Sequence, residues 1–119
     1  MMKDKGPVYT KSFEFALMIL NLKKKLDEQK EYDLGRQILR SGTSIGANVN
    51  EAGAAVSKKD FTNKMGIASK EAREALYWLE ILKVSDAIKI NVEQEYEKCL
   101  ELVKLLTAIV KTSQLSTKN

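Results

Sequence analysis

Val92, Tyr96, Cys99, Val103, Leu106 and Val110 recur at alternating spacings of four and three residues. That period gathers them on one side of an α-helix, and such a seam is stable only when other helices cover it. The rest of the chain offers helices for the purpose and little else. No stretch alternates apolar and polar residues between Asn-Gly or Asp-Gly turns, so strand signals are absent. Pro7 is the one proline, and strong helix formers dominate the remainder. The fold class is therefore expected to be all-α.

Four helices are predicted within a single domain spanning 1–119, a length that suits one hydrophobic core and not two. The first covers about 8–29, with Pro7 placed near its opening turn. The second covers about 32–56. The third covers about 57–85 and opens on Ser57-Lys-Lys-Asp60, a capping box with Asp in place of the usual Glu. Asn91-Val-Glu-Gln94 is a second capping signal and opens a helix over about 91–112, leaving 113–119 as a polar tail expected to fray. Helices of this length joined by short connections predict an antiparallel up-down-up-down four-helix bundle.

The second helix carries Gly42, Gly46 and Gly53 along one flank of its apolar face. A helical glycine costs about 1 kcal/mol against alanine, so bare backbone here predicts close approach of a neighbouring element. The opposite flank carries Arg40, Ser44, Asn48 and Glu51. These groups are expected to bond across helices or subunits and set their register, because polar groups beside a core must find partners.

Apolar residues also occur where one bundle interior has no use for them. Leu102, Leu105 and Ile109 form a second row on the last helix, Phe13, Leu17 and Leu20 one on the first, and Ile67, Trp78 and Ile81 stand aside from the third helix's core row. Exposed together, these would make a large apolar patch of the sort that marks an interface. Self-association into a cyclic homo-oligomer is expected, with Leu102, Leu105, Ile109, Trp78 and Ile81 as interface candidates. Periodicity does not set the subunit number.

The chemistry available is narrow. There is no histidine and Cys99 is the only cysteine, which excludes zinc sites of the Cys/His kind, Ser-His-Asp and Cys-His catalysis, and ribonucleases built on an Arg/His pair. No Walker loop, dinucleotide fingerprint or carboxylate cluster with metal spacing occurs, so no enzyme, cofactor or metal is expected. Cys99 reads as an inert core thiol. No apolar run approaches the roughly 20 residues of a membrane span, and no secretory signal is evident. A cytoplasmic setting without membrane contact is the expectation.

Charge is distributed unevenly. Residues 34–73 hold seven basic side chains against three acidic ones, whereas 1–33 and 74–119 are close to balance. Arg36, Arg40, Lys58, Lys59, Lys70 and Arg73 are the candidate nucleic-acid contacts, with Lys59, Lys70 and Arg73 sharing a helix face and Tyr77 one turn beyond. Repeated around a ring, such a surface would become a multivalent footprint for phosphates. Lys23-Lys-Lys25 points in several directions beside Asp27 and Glu28 and reads as a solvated helix end.

Tyr32-x-Leu34, Gln37-x-Leu39-Arg40-Ser41-x-x-Ser44-Ile45-x-x-Asn48-Val49-x-Glu51-Ala52, Phe61 and Ile67-Ala68 together resemble the four-helix bundle proteins of the 23S rRNA intervening-sequence family. Members are encoded within insertions in bacterial 23S rRNA genes or elsewhere in the genome. The resemblance covers roughly 12–109 and implies a four-helix protomer in a homopentameric barrel, with Arg40, Ser41, Ser44, Ile45, Asn48 and Glu51 as structural motif positions. The accessory protein of diversity-generating retroelements looks like a relative, and there a basic barrel works with nucleic acid and a reverse transcriptase. Members often follow the glutamate with Gly and a basic residue. Here Glu51-Ala52-Gly53-Ala54-Ala55 is neutral beyond the glutamate. A non-enzymatic oligomer that binds RNA or DNA is the leading expectation. The alternative is a scaffold that recruits a partner protein, with little nucleic-acid binding of its own.

Overall fold

The computed structural model describes residues 6–117, and no strand occurs among them. Four helices follow in order: α1 (Pro7–Glu28), α2 (Tyr32–Ala52), α3 (Lys58–Val84) and α4 (Glu93–Thr117). Each helix packs against two others: α2 against α1 and α3, and α4 against α3 and, more lightly, α1. The result is an elongated body of 50 × 27 × 21 Å.

The helix ends follow from local chemistry. Pro7 opens α1 at a position whose missing N–H no helix needs, directly after Gly6, whose φ of 101° lies where glycine is favoured. The first turn is closed by Lys30, also left-handed at φ 63°, which lets the Glu31 amide reach the Leu26 carbonyl at 2.8 Å. Ser57 caps α3, its hydroxyl accepting from the Asp60 amide at 3.0 Å. Ahead of α4, the Asn91 side chain accepts from the Glu93 amide at 3.0 Å.

Two boundaries differ from the sequence expectation. Helix α2 ends at Ala52 and not near 56, because the chain must reverse before Ser57, where an extended backbone starts the next helix. Val56 sits in that turn with its side chain 95% exposed. At the other end α4 runs through Ser113 to Thr117 where a frayed tail was expected; 118–119 lie outside the described residues. Ser113 falls seven residues beyond Leu106 on the same helix face, is buried, and shares a hydrogen bond with the Thr62 hydroxyl of α3. A polar composition hides a helical turn that tertiary contact holds in place.

The core is built from Phe15, Ile19, Leu22 and Leu26 of α1, Ile38, Ile45 and Val49 of α2, Met65, Ala68, Ala72, Ala75, Leu79 and Leu82 of α3, and Val92, Cys99, Leu102 and Leu106 of α4. The fourth helix contradicts the reading of its seam. Leu102, expected on an outer interface, is 1% exposed and central to the core, whereas Tyr96, Val103 and Val110 are only half-buried at its edge. The apolar arc of α4 spans both rows, and the bundle axis meets it on the Cys99–Leu106 line tipped toward Leu102. Leu105, Ile109 and Trp78 pack half-buried against the same core, and Ile81 is likewise half-buried. The apolar side chains left most exposed within the helices are Val84 and Tyr77 of α3 and Leu115 of α4, followed by Leu20 and Leu17 of α1, Tyr32 of α2 and Ile67 of α3.

The glycines of α2 serve the α1 interface. A Cβ on Gly42 would lie 2.9 Å from Ile19 Cγ1, and one on Gly46 would lie 3.3 Å from the Ser12 carbonyl oxygen. Backbone thus runs close to backbone along this pair, and the helix-propensity cost of glycine is offset by tight packing. Gly53, at the end of α2, leaves room for the Tyr9 ring.

Candidate nucleic-acid interface

The polar flank of α2 faces α3. Arg40 reaches across to two carboxylates, donating to Glu71 at 2.8 Å and to Glu74. At the far end of α2, Glu51 pairs with Lys64 of α3 at 3.0 Å. Between these clamps the groups turn back on their own helix: Ser44 donates to the Arg40 carbonyl and Asn48 to the Ser44 carbonyl at 2.8 Å. Ser41, fully buried, donates to the Gln37 carbonyl at 3.0 Å, and Ile45 fills the core beside it. The guanidinium of Arg40 is held above its ordinary pKa, first by the hydrogen bond to Glu71 and then by that to Glu74. At Glu74 burial favours the neutral acid, but hydrogen bonds from Arg40 and Trp78 and the charges of Arg40 and Lys70 outweigh it, so the carboxyl stays below its usual value.

These contacts divide the six candidate cations. Arg40 is neutralised by its two acids and leaves the candidate interface. Arg36 pairs with Asp33 on the first turn of α2. Lys58 donates to the Ser116 hydroxyl at the end of α4. Lys59, Lys70 and Arg73 remain together on the outward stripe of α3, all exposed, with Tyr77 one turn beyond Arg73.

Lys70 and Arg73 line a groove of about 380 Å³ between α3 and α4. Its opposite wall brings in Lys111, Thr107 and Gln114, so three cations and no carboxylate face this space. Among the described residues none of the three cations enters an ion pair. Arg73 donates to the Thr107 hydroxyl at 3.2 Å, fixing the guanidinium across the gap. Gly66 leaves part of the α3 wall bare, since a Cβ there would meet nothing within 4 Å. Lys111 and Thr107 were missed from sequence because 74–119 is slightly acidic as a segment. The signal that would have found them is spacing: Lys104, Thr107, Lys111 and Gln114 follow helical period on the outer side of α4.

The family model for the 23S rRNA-intervening sequence protein matches residues 4–108. The chain belongs to the 23S rRNA-intervening sequence protein family. A crystal structure from Bacteroides thetaiotaomicron VPI-5482, described as a protein of unknown function from the S23 ribosomal protein family, superposes with a TM-score of 0.82 at 50% identity. The match covers 88% of this chain and 99% of that one. No curated protein matches the chain.

In this member of the intervening-sequence family, the motif residues Arg40, Ser41, Ser44, Ile45, Asn48 and Glu51 are engaged within the protomer, tying α2 to α3 or closing onto α2 itself. They frame the α3 surface and do not line the basic groove. Cys99 is fully buried, its thiol donating to the Ala72 carbonyl at 3.3 Å, and burial pushes its pKa up to about 12. A thiol so placed is nonnucleophilic at neutral pH. No helix among the described residues is long and apolar enough to cross a membrane.

Proposed function

We propose that this intervening-sequence family member is a non-enzymatic, cytoplasmic helical bundle that binds RNA or DNA through the α3–α4 groove. The observation that carries the reading is the groove itself: Lys70, Arg73 and Lys111 face one concave space with no carboxylate among its walls. Phosphates displace counterions from such a surface, and affinity then falls steeply with salt. The expected result is direct. Replacing Lys70, Arg73 and Lys111 together by Glu should weaken RNA or DNA binding by at least about 100-fold, and the Ala triple should reduce the log–log salt slope by about 2 to 3. Reversing Lys24 and Lys25 should do neither. A folded triple mutant, verified by circular dichroism, with unchanged affinity and slope would refute the groove as the binding surface.

The same reading takes the bundle to be antiparallel, up-down-up-down. Support comes from cross-helix pairings in which one number rises as the other falls: Gly42 beside Ile19 and Gly46 beside Ser12 for α2 and α1, Glu51–Lys64 and Arg40–Glu74 for α2 and α3, Thr62–Ser113 and Lys83–Glu93 for α3 and α4. We also propose a cyclic homo-oligomer, a pentamer by family resemblance. Leu17 and Leu20, each about half exposed beside Phe13, and Ile67 on α3 are the apolar surfaces such an assembly would cover. Light scattering is expected to give about five times the 13.4 kDa chain mass at all micromolar concentrations tested. A concentration-independent monomer would remove this part of the proposal.

A further inference from the structure

We infer that the groove selects single-stranded over double-stranded nucleic acid, with Tyr77 as the platform on which an unstacked base rests. This rests on the nucleic-acid reading of the α3–α4 groove. Tyr77 lies on the same exposed stripe as Lys70 and Arg73, seven and four residues along, so a strand that follows those cations along α3 reaches its ring one turn beyond the groove. The ring is 59% exposed, more than any other aromatic side chain among the described residues.

Tyr77 is not loose. Its ring meets that of Trp78 edge to face, with centroids 5.3 Å apart and planes at 65°. Trp78 is in turn anchored, its indole N–H donating to Glu74 at 3.3 Å. Glu74 is held by Arg40, which is held again by Glu71. The chain Arg40–Glu74–Trp78 thus braces one side of Tyr77 and leaves the rest of the ring to solvent. A fixed aromatic ring beside phosphate-binding cations is the arrangement by which single strands are bound without sequence preference: cations follow the backbone and the ring stacks on a base. A duplex offers no such base. Its faces are already stacked on one another, and a concave groove between two helices presents no convex element to enter a duplex groove.

The test uses the full chain and labelled oligouridine and oligothymidine, each alone and paired with its complement. The single strands should bind at least about 10-fold more tightly than the duplexes, since only they gain the stacking contact. Tyr77→Ala should weaken single-strand binding by about 5- to 100-fold, leave duplex binding and the salt slope unchanged, and be rescued by Tyr77→Phe. Equal affinity for strands and duplexes with Tyr77→Ala silent would overturn this inference while leaving the basic groove intact. Loss of oligomer mass in Tyr77→Ala, with single-strand affinity unaffected, would make Tyr77 a subunit contact and overturn it equally. Failure of every strand and duplex to bind would sink the nucleic-acid reading, and this inference with it.

Discussion

Leu102→Ala is expected to lower the unfolding free energy by about 2–5 kcal/mol, the range for truncating a buried leucine whose surroundings cannot collapse into the space. Leu102 is 1% exposed and belongs to the single cluster joining all four helices. The neighbouring Leu105→Ala removes the same atoms from a half-buried site and should cost clearly less. Urea denaturation at fixed protein concentration measures both, and the concentration must be held constant because any self-association adds to the apparent stability. Similar losses for the two, each disappearing on dilution, would mean that both leucines belong to a subunit contact. The placement of Leu102 in the protomer core would then be wrong.

Gly42→Val and Gly66→Ala should move stability in opposite directions. At Gly42 a new Cβ falls 2.9 Å from Ile19 Cγ1 and 3.0 Å from Cγ2, and Ile19 is itself fully buried. Valine adds two further carbons, so α1 must shift away, at a cost of about 1–3 kcal/mol that exceeds the few tenths regained in helix propensity. At Gly66 nothing lies within 4 Å of the added carbon. Alanine there should raise stability by up to about 1 kcal/mol, the ordinary gain for replacing glycine within a helix where the added carbon meets no neighbour. Thermal melts of the two variants against the parent decide the matter. A stabilised Gly42→Val would mean that α1 and α2 are not in the tight contact described above.

Much of this architecture was legible because helices write their requirements at short range. The Ser57 cap and the position of Pro7 follow from residues within a turn or two of one another. The glycines of α2 announced a close neighbour through their propensity cost, although nothing in the sequence said that the neighbour would be Ile19 and Ser12 of α1. The polar flank of α2 announced partners in the same way. Helix α4 was less readable. Its apolar arc is wide enough that two rows satisfy the same period, and only the packing of α4 against α3 and α1 chooses Leu102 over Val103. The extension through Ser113 depends on Thr62, far away in sequence, and local composition argues against it.

The binding surface divides along the same line. Lys70, Arg73 and Tyr77 could be placed on one stripe from their numbers alone, because a helix makes neighbours of residues three, four and seven apart. That Arg40 was already committed to Glu71 and Glu74, and that Lys111 and Thr107 complete a groove with Lys70 and Arg73, depends on which helix lies beside which. Spacing along one helix is governed by backbone geometry and is carried by the chain locally. The meeting of side chains from different helices is set by how apolar faces bury one another, and that emerges only when all four helices pack.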